Sequence, residues 1–531
     1  MKIRMTTRAR RAVIALFAAI ATLVLGAGSA SAFAPLGVQY GVGLPGPNSG
    51  QVTVASGIAI GPEGQIVVAD MSSVRIAVFD QDGRFLRAFG KDVSTANPGE
   101  GPEVCTTDCK AGTTGSAAGE LQFIWGVAAG PDGIYVAEQG NARISVFSYE
   151  GQFLRAFGAD VGGPGVDVCT STCQPGTAGP QGGELAMPFG IALDAGGRLY
   201  VSNVGNARVE VFDAATGAFA FAFGKNVGGA GVNTCAVACQ AGLTDGTPGS
   251  LGGAYGIAAG PNGEVYVTDL ETRGVQVFGS AGEYRRRFGE AGAGSGQFAA
   301  PYSVAVDAQG TAYVTDLGLN RLAVFGPAGE FRAAYGRNVL PELPQGAEVC
   351  TIVCGPGEGG AGVGEFQTPM AVAADCRGAV YAGTVGRVDK WGEAGVAPAP
   401  CPEPSALPDP PAPPARPAPP APQPAAEPSN AIGLGKLTLN RKKGTATLKV
   451  SVPGPGTLKA KAGRKMKAKA PKPKRAGTLR VKIKGKGKGV KALNRTGKLK
   501  GTLRLTYTPR GGAPNTVTRA VTLSKAPKPR R

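Results

Sequence analysis

The chain has 531 residues with 56 Lys or Arg, 37 Asp or Glu and no histidine, so it exceeds one domain and carries a net charge of +19. The absence of histidine excludes Ser-His-Asp and Cys-His nucleophilic sites, His-ligated zinc, haem attachment through Cys-x-x-Cys-His, and histidine as general acid or base. Calcium chemistry or carboxylate catalysis remains. The charge is split: residues 431–531 hold 30 basic and no acidic residues, whereas residues 33–430 hold 21 basic residues and all 37 acidic ones, a balance of −16.

In chain order, residues 1–32 have the pattern of an export signal. Lys2, Arg4, Arg8, Arg10 and Arg11 precede an apolar run from Ala12 to Leu25, and Ala30-Ser31-Ala32 offers a small-residue cleavage site. The run is short for a membrane span of roughly 20 residues, so cleavage is expected rather than anchoring. Arg10-Arg11 fits a twin-Arg or a general secretory route, and no Cys follows the site for lipid attachment. The expected destination is extracellular, secreted or attached to the cell wall.

Six tandem units follow. The segment Gly57–Gly90, "GIAIGPEGQIVVADMSSVRIAVFDQDGRFLRAFG", returns as "GVAAGPDGIYVAEQGNARISVFSYEGQFLRAFG" at Gly126–Gly158, and further copies begin near Gly190, Gly256, Ser303 and Ala371. Apolar residues alternate within a unit (Ile76, Val78; Val209, Val211) and the turns are Gly-rich, which predicts about four short antiparallel strands per unit, a propeller blade. The core motifs Asn141-Ala-Arg143-Ile, Asn206-Ala-Arg208-Val and Asn320-Arg321-Leu resemble those of the NHL-repeat family of six-bladed β-propellers over roughly residues 33–395. Blade 4 departs from the pattern, with Arg273 one place early and Gly274 at the Arg position. The resemblance implies an all-β propeller with a binding role, most members being scaffolds for proteins or nucleic acid. The sixth unit stops after its third strand, at Val388–Gly392, and Gly37–Gly41 matches an outer strand, so the N-terminus is expected to complete the last blade and remove an open sheet edge.

Eight of the ten cysteines form four Cys-x-x-x-Cys pairs, Cys105/Cys109, Cys169/Cys173, Cys235/Cys239 and Cys350/Cys354, each in a long Gly-rich insert between blades. Local disulfides are expected. A zinc site wants four N/S ligands and each insert has two, while thiol oxidoreductases use Cys-x-x-Cys. Cys376 is left to pair with Cys401, tying the C-terminal exit to the ring.

Two recurring positions are candidate sites. The second strand of each blade ends in an oxygen-bearing residue: Asp70, Glu138, Asn203, Asp269, Asp316 and Thr384. Calcium-dependent lactonases on six-bladed propellers gather such residues around the axis, and hard oxygen ligands suit calcium. Alternatively these residues pair with the Arg five positions later for structural reasons. The position just before each innermost strand's apolar run holds Ser56, Trp125, Phe189, Tyr255, Tyr302 and Met370, side chains expected at the mouth of the central channel. There they either pack against the inserts or form a binding platform.

Residues 397–430 are a Pro/Ala tract expected to act as a polyproline-like spacer, with a Pro-rich recognition ligand as the alternative. Residues 431–531 alternate Leu, Val and Ile with Lys and Arg in six or seven short segments, which predicts a small basic β-sandwich with one cationic face per sheet. Tyr507 is its only aromatic residue, so base stacking on nucleic acid is not expected, and an anionic wall polymer or lipid head groups suit an exported chain better; a solubilising tail is the plainer alternative. These observations describe a monomeric secreted or cell-surface scaffold without a cofactor. Its propeller would bind a protein or glycan, and its basic domain would tether it to an anionic envelope polymer. A calcium-dependent propeller hydrolase or lactonase is the second possibility.

Overall fold

The computed structural model describes residues 33–41, 45–96, 101–340, 347–393, 430–510 and 512–526. The export signal, residues 397–429 of the spacer and Cys401 lie outside the described residues. The chain divides into two units, Met1–Pro408 and Asp409–Arg531.

In the first unit, six antiparallel sheets of four or five strands take up the six repeats in order. Their innermost strands are Ala55–Ile60, Ile124–Gly130, Pro188–Leu193, Ala254–Gly260, Pro301–Val306 and Ala371–Ala374, and each touches the next until the sixth meets the first. The Gly at the third place of the first four of these strands (Gly57, Gly126, Gly190 and Gly256) makes that approach possible. A Cβ on Gly57 would lie 2.5 Å from the Trp125 carbonyl oxygen, and one on Gly126 or Gly190 2.4 Å from the Phe189 or Tyr255 oxygen. Apolar side chains of adjacent sheets meet in the gaps between blades, as where Val67, Val78 and Phe89 of blade 1 pack with Val127, Val136 and Phe147 of blade 2.

The sixth sheet closes as expected, and over a longer stretch. Phe33–Tyr40 pairs antiparallel with Arg387–Glu393, from Phe33 opposite Glu393 to Tyr40 opposite Val388. Tyr40 is fully buried, its ring 5.8 Å from those of Phe79 and Tyr381.

The expectation of four strands per blade needs correction for blades 1, 2, 3 and 5. Each gains a fifth, outer strand running into the first cysteine of its insert: Pro102–Cys105, Val168–Cys169, Thr234–Cys235 and Ala347–Cys350. Blade 4 has four strands, followed by the short parallel pair Glu290–Ala291 and Gln297–Phe298.

The second unit contains a four-stranded sheet in the order Gly433–Asn440, Thr445–Val452, Gly477–Gly485, Met466–Lys469, and a three-stranded sheet in the order Gly456–Ala462, Lys498–Pro509, Asn515–Ser524. Leu448, Val450, Val481 and Ile483 of the first sheet and Leu503, Leu505, Val521 and Leu523 of the second share one buried cluster, which is how alternating strands make a sandwich. The alternation does not announce the strand Met466–Lys469 or the helix Lys488–Thr496. That helix buries only Gly489 and Leu493 and ends at Gly497, whose left-handed backbone (φ 69°) donates its N–H to the Leu493 carbonyl.

Candidate functional site

The oxygen-bearing residues at the ends of the second strands stay inside their own blades. Blade 2 has the fullest set: Arg143 Nε donates to Glu138 Oε1 at 2.8 Å, and its two terminal nitrogens donate to the carbonyls of Ser116, Ala117 and Glu120 in the preceding insert and of Gln174 in the following one. Both side chains are completely buried. Arg75 repeats the scheme with Asp70 at 3.4 Å, the carbonyls of Pro47, Asn48 and Gln51 before the blade and that of Lys110 after it. Arg208 bonds Pro180 and Gln181 before and Gln240 after; Arg321 bonds Ala293, Gly294 and Gln297 before and Gly355 after. Lys110, Gln174, Gln240 and Gly355 each directly follow the second cysteine of an insert. The planar guanidinium fork therefore fastens two loops to one blade.

Its carboxylate partner comes from either of two places. In blades 1 and 2 it ends the second strand, but in blade 3 Arg208 Nε donates to Glu210 at 2.7 Å and in blade 6 Arg387 donates to Asp389 at 3.1 Å, two residues after the Arg. Asn203 and Thr384 fill the vacated positions: Asn203 donates to Glu210 at 3.1 Å and accepts the Ala186 N–H at 2.9 Å, rather than pairing with Arg208 as the spacing suggested. In blade 5, Asp316 lies opposite Arg321 in strand register but spends its oxygens on the N–H groups of Ala299, Ala300, Gly318 and Leu319. Blade 4 has no Arg at this position, and Gln276 Nε2 reaches both Asp269, at 3.0 Å, and the Ser250 carbonyl. Burial pushes Asp70, Glu210, Asp316 and Asp389 above the ordinary carboxylate range, against the pull of the neighbouring guanidinium or its hydrogen bonds. Among the described residues no three Cys, Asp or Glu side chains come together as metal ligands.

The inserts have their own small core. The cysteines are joined as Cys105–Cys109, Cys169–Cys173, Cys235–Cys239 and Cys350–Cys354, with Cα atoms 5.4 or 5.5 Å apart. Cys376 is also disulfide-bonded; its expected partner Cys401 falls outside the described residues. In each insert the first cysteine lies opposite an Ala of the blade's fourth strand (Ala88, Ala156, Ala222, Ala334). A Val five residues after that Ala (Val93, Val161, Val227, Val339) is fully buried with it. This repeated Ala and Val was visible in the sequence as "AFG" or "AYG" followed by "DV" or "NV", but only the pairing explains it.

The aromatic residues do not stand around an open mouth; they fill it. Trp125 stacks on Phe189 with centroids 4.2 Å apart, Phe189 meets Tyr255 edge-on at 4.5 Å, and Tyr302 packs against Tyr255 at 5.3 Å and Phe189 at 5.6 Å. Burial pushes the Tyr302 hydroxyl well above the ordinary phenol range. Beside this cluster, Ser56 and Met370 help to line an opening of about 60 Å³, far below the several hundred Å³ of a small-molecule site. The surrounding loops are different. Of fourteen exposed large apolar side chains among the described residues, ten are on the inserts at this end of the ring, and three between paired cysteines protrude furthest: Val237 is 88% exposed, Ile352 82% and Val353 70%.

At the opposite end a cleft of about 710 Å³ runs between blades 5, 6 and 1, lined by Tyr313, Tyr335, Tyr381, Asp307 and Asp375 among others. Its carboxylates hold turns: Asp307 accepts the N–H groups of Gln309 and Thr311 and the Tyr313 hydroxyl, and Asp375 those of Arg377 and Ala379 and the Tyr381 hydroxyl. Asp194 does the same for Arg198 and Tyr200 in blade 3, away from the cleft, so the set belongs to the fold.

Comparison with known proteins bears on the fold. No family model matches the chain. Protein brain tumor of Drosophila melanogaster is 27% identical over 171 residues, covering 32% of this chain and 12% of that protein. The B-box type zinc finger protein ncl-1 of Caenorhabditis elegans is 27% identical over 168 residues, covering 32% and 15%. Both are NHL-repeat proteins, and this chain spans only a small part of each. Among solved structures, virginiamycin B lyase from Staphylococcus aureus is 12% identical with a TM-score of 0.36, covering 65% of this chain and 97% of that one. The WD40 propeller of Doa1 is 8% identical with a TM-score of 0.37, covering 68% and 98%. The first unit is a β-propeller. Propellers of this kind include both enzymes and binding domains, so the fold leaves the activity open.

Proposed function

We propose that the protein is an exported, non-catalytic scaffold that docks a protein partner on the insert face of its propeller and is held to an anionic envelope polymer by its basic domain. The observation that carries the docking role is the gathering of ten exposed apolar side chains on one end of the ring, on loops fastened by disulfides and buried Arg forks. Scattered apolar residues are ordinary on a surface, but a concentration on rigid loops supplies contact area at little ordering cost. Apolar tips fit a protein better than a glycan. The calcium-hydrolase alternative has less support, because its five residues, Asp70, Glu138, Asn203, Asp269 and Asp316, are each bonded within a separate blade.

The docking role is tested by cross-linking the protein to its neighbours in its native envelope and repeating this with Val237→Ser, Ile352→Ser and Val353→Ser combined. The expected result is an unchanged melting temperature and loss of the main cross-linked species. An unchanged cross-linking pattern would place the partner elsewhere.

A further inference from the structure

The outer face of the four-stranded sheet in the basic unit concentrates cations in an arrangement that works against its own stability. Leu448, Val450, Met466, Val481 and Ile483 point into the core, so alternation sends Lys449, Lys467, Lys469, Arg480, Lys482 and Lys484 outward, and all six are exposed. Strand register sets them against one another: Lys449 opposite Arg480, Lys469 opposite Lys482, Lys467 opposite Lys484. Like charges directly opposite across strands destabilise a sheet, and residues 431–531 hold no acidic residue to offset them. With strands about 4.8 Å apart and same-face neighbours about 6.8 Å apart, the six charges share a patch of roughly 10 by 14 Å. The other sheet spreads its cations among threonines, Lys459 opposite Thr506, Lys500 opposite Thr522 and Arg504 opposite Thr518, with Lys461 opposite Arg504 its one like-charged contact.

We infer that this one face is the seat of a linear polymer bearing a phosphate group in each repeat. The inference rests on the tether role proposed above and narrows it to one surface and one chemistry. A row of anions would remove the repulsion within all three opposed pairs at once, which an isolated head group would not. Five of the six cations are Lys, which binds phosphate as a compact point charge. Among the described residues of this unit there is no exposed aromatic ring on which bases could stack: Tyr507 is fully buried, and its hydroxyl donates to the Gly454 carbonyl at 2.9 Å.

The test titrates the full-length protein with inorganic polyphosphate across a sodium chloride series. One variant neutralises Lys449, Lys467, Lys469, Lys482 and Lys484 to Gln. A control neutralises Lys459, Lys461, Lys498, Lys500 and Arg504 to Gln, the same change in charge on the other sheet. The expected result is that the first variant lowers the slope of log affinity against log salt by about three to four and the control by about one, while the first variant melts at a higher temperature than the wild type. Equal losses in the two variants would overturn the assignment to one face while leaving a charge-based tether standing. No loss in either would overturn both. Binding of a single-stranded oligodeoxynucleotide of equal charge as tightly as polyphosphate would overturn the proposed polymer class.

Discussion

Blades 3 and 4 are neighbours with the same inner four strands, yet only blade 3 carries a disulfide insert after its fourth strand. Two residues are replaced between them and three have no counterpart. Arg208 becomes Gly274, Ala222 becomes Arg287, and the buried Val227 and Cys235/Cys239 pair have no counterpart in the short connection after Gly289. The Ala gives the disulfide room beside the sheet, the Arg ties the chain leaving the second cysteine back to the blade, and without an insert neither is needed. Blade 6 tests the rule from the other side. It follows the rule for the Ala, having Gln39 at that position and no insert beyond it, but keeps Arg387 to hold the preceding insert through Gly362 and Glu365, a task that Gln276 takes in blade 4 through the Ser250 carbonyl.

The contrast can be broken by experiment. Removing residues 33–41 deprives blade 6 of the outer strand that closes the ring and should lower the denaturation midpoint more than any single substitution; an unchanged midpoint would show that the strand does not hold the ring. Arg143→Ala leaves Glu138 buried without its cation and should cost about 3–5 kcal/mol by urea denaturation. Ala222→Leu in blade 3 intrudes on the disulfide and should cost about 1–3 kcal/mol, whereas Arg287→Ala in blade 4 should change stability by no more than about 0.5 kcal/mol. A pH-dependent effect concerns Glu264, which hydrogen bonds from Arg286 hold below its ordinary value of 4.5. Because the folded value is depressed, its contribution is complete above the unfolded value and is lost as pH falls through the folded one. The gap between wild type and Glu264→Gln should therefore be under about 1 kcal/mol at pH 7 and close in acid.

Much of this organisation was legible in the sequence. Repeat length and alternation foretold the blades, and the incomplete sixth unit foretold the strand Phe33–Tyr40. The five-residue spacing of Asp70 with Arg75 and Glu138 with Arg143 foretold their pairing, because a tight turn sets the last residue of one strand opposite the first of the next. The same spacing misled at Asn203, since Glu210 supplies the carboxylate from the next strand and spacing alone does not show that two same-face positions serve one guanidinium. The fifth strands, of two to four residues each, were hidden in Gly-rich inserts and are too short for a period to register. The helix Lys488–Thr496 was hidden by its near-continuous polarity. Aromatic residues were foreseen at the axis, but their size against the narrow spacing of six inner strands decides that they plug it.

The Arg forks of blades 1, 2, 3 and 6 are each neutralised by a buried carboxylate that stands at either of two positions, and this is the account's central claim. It is tested most directly by a double-mutant cycle converting blade 3 to the blade 2 arrangement. Glu210→Ser alone should cost about 3–5 kcal/mol by leaving Arg208 unpaired, and adding Asn203→Glu should recover most of that loss, a strongly favourable coupling. A double variant no more stable than Glu210→Ser would contradict the account.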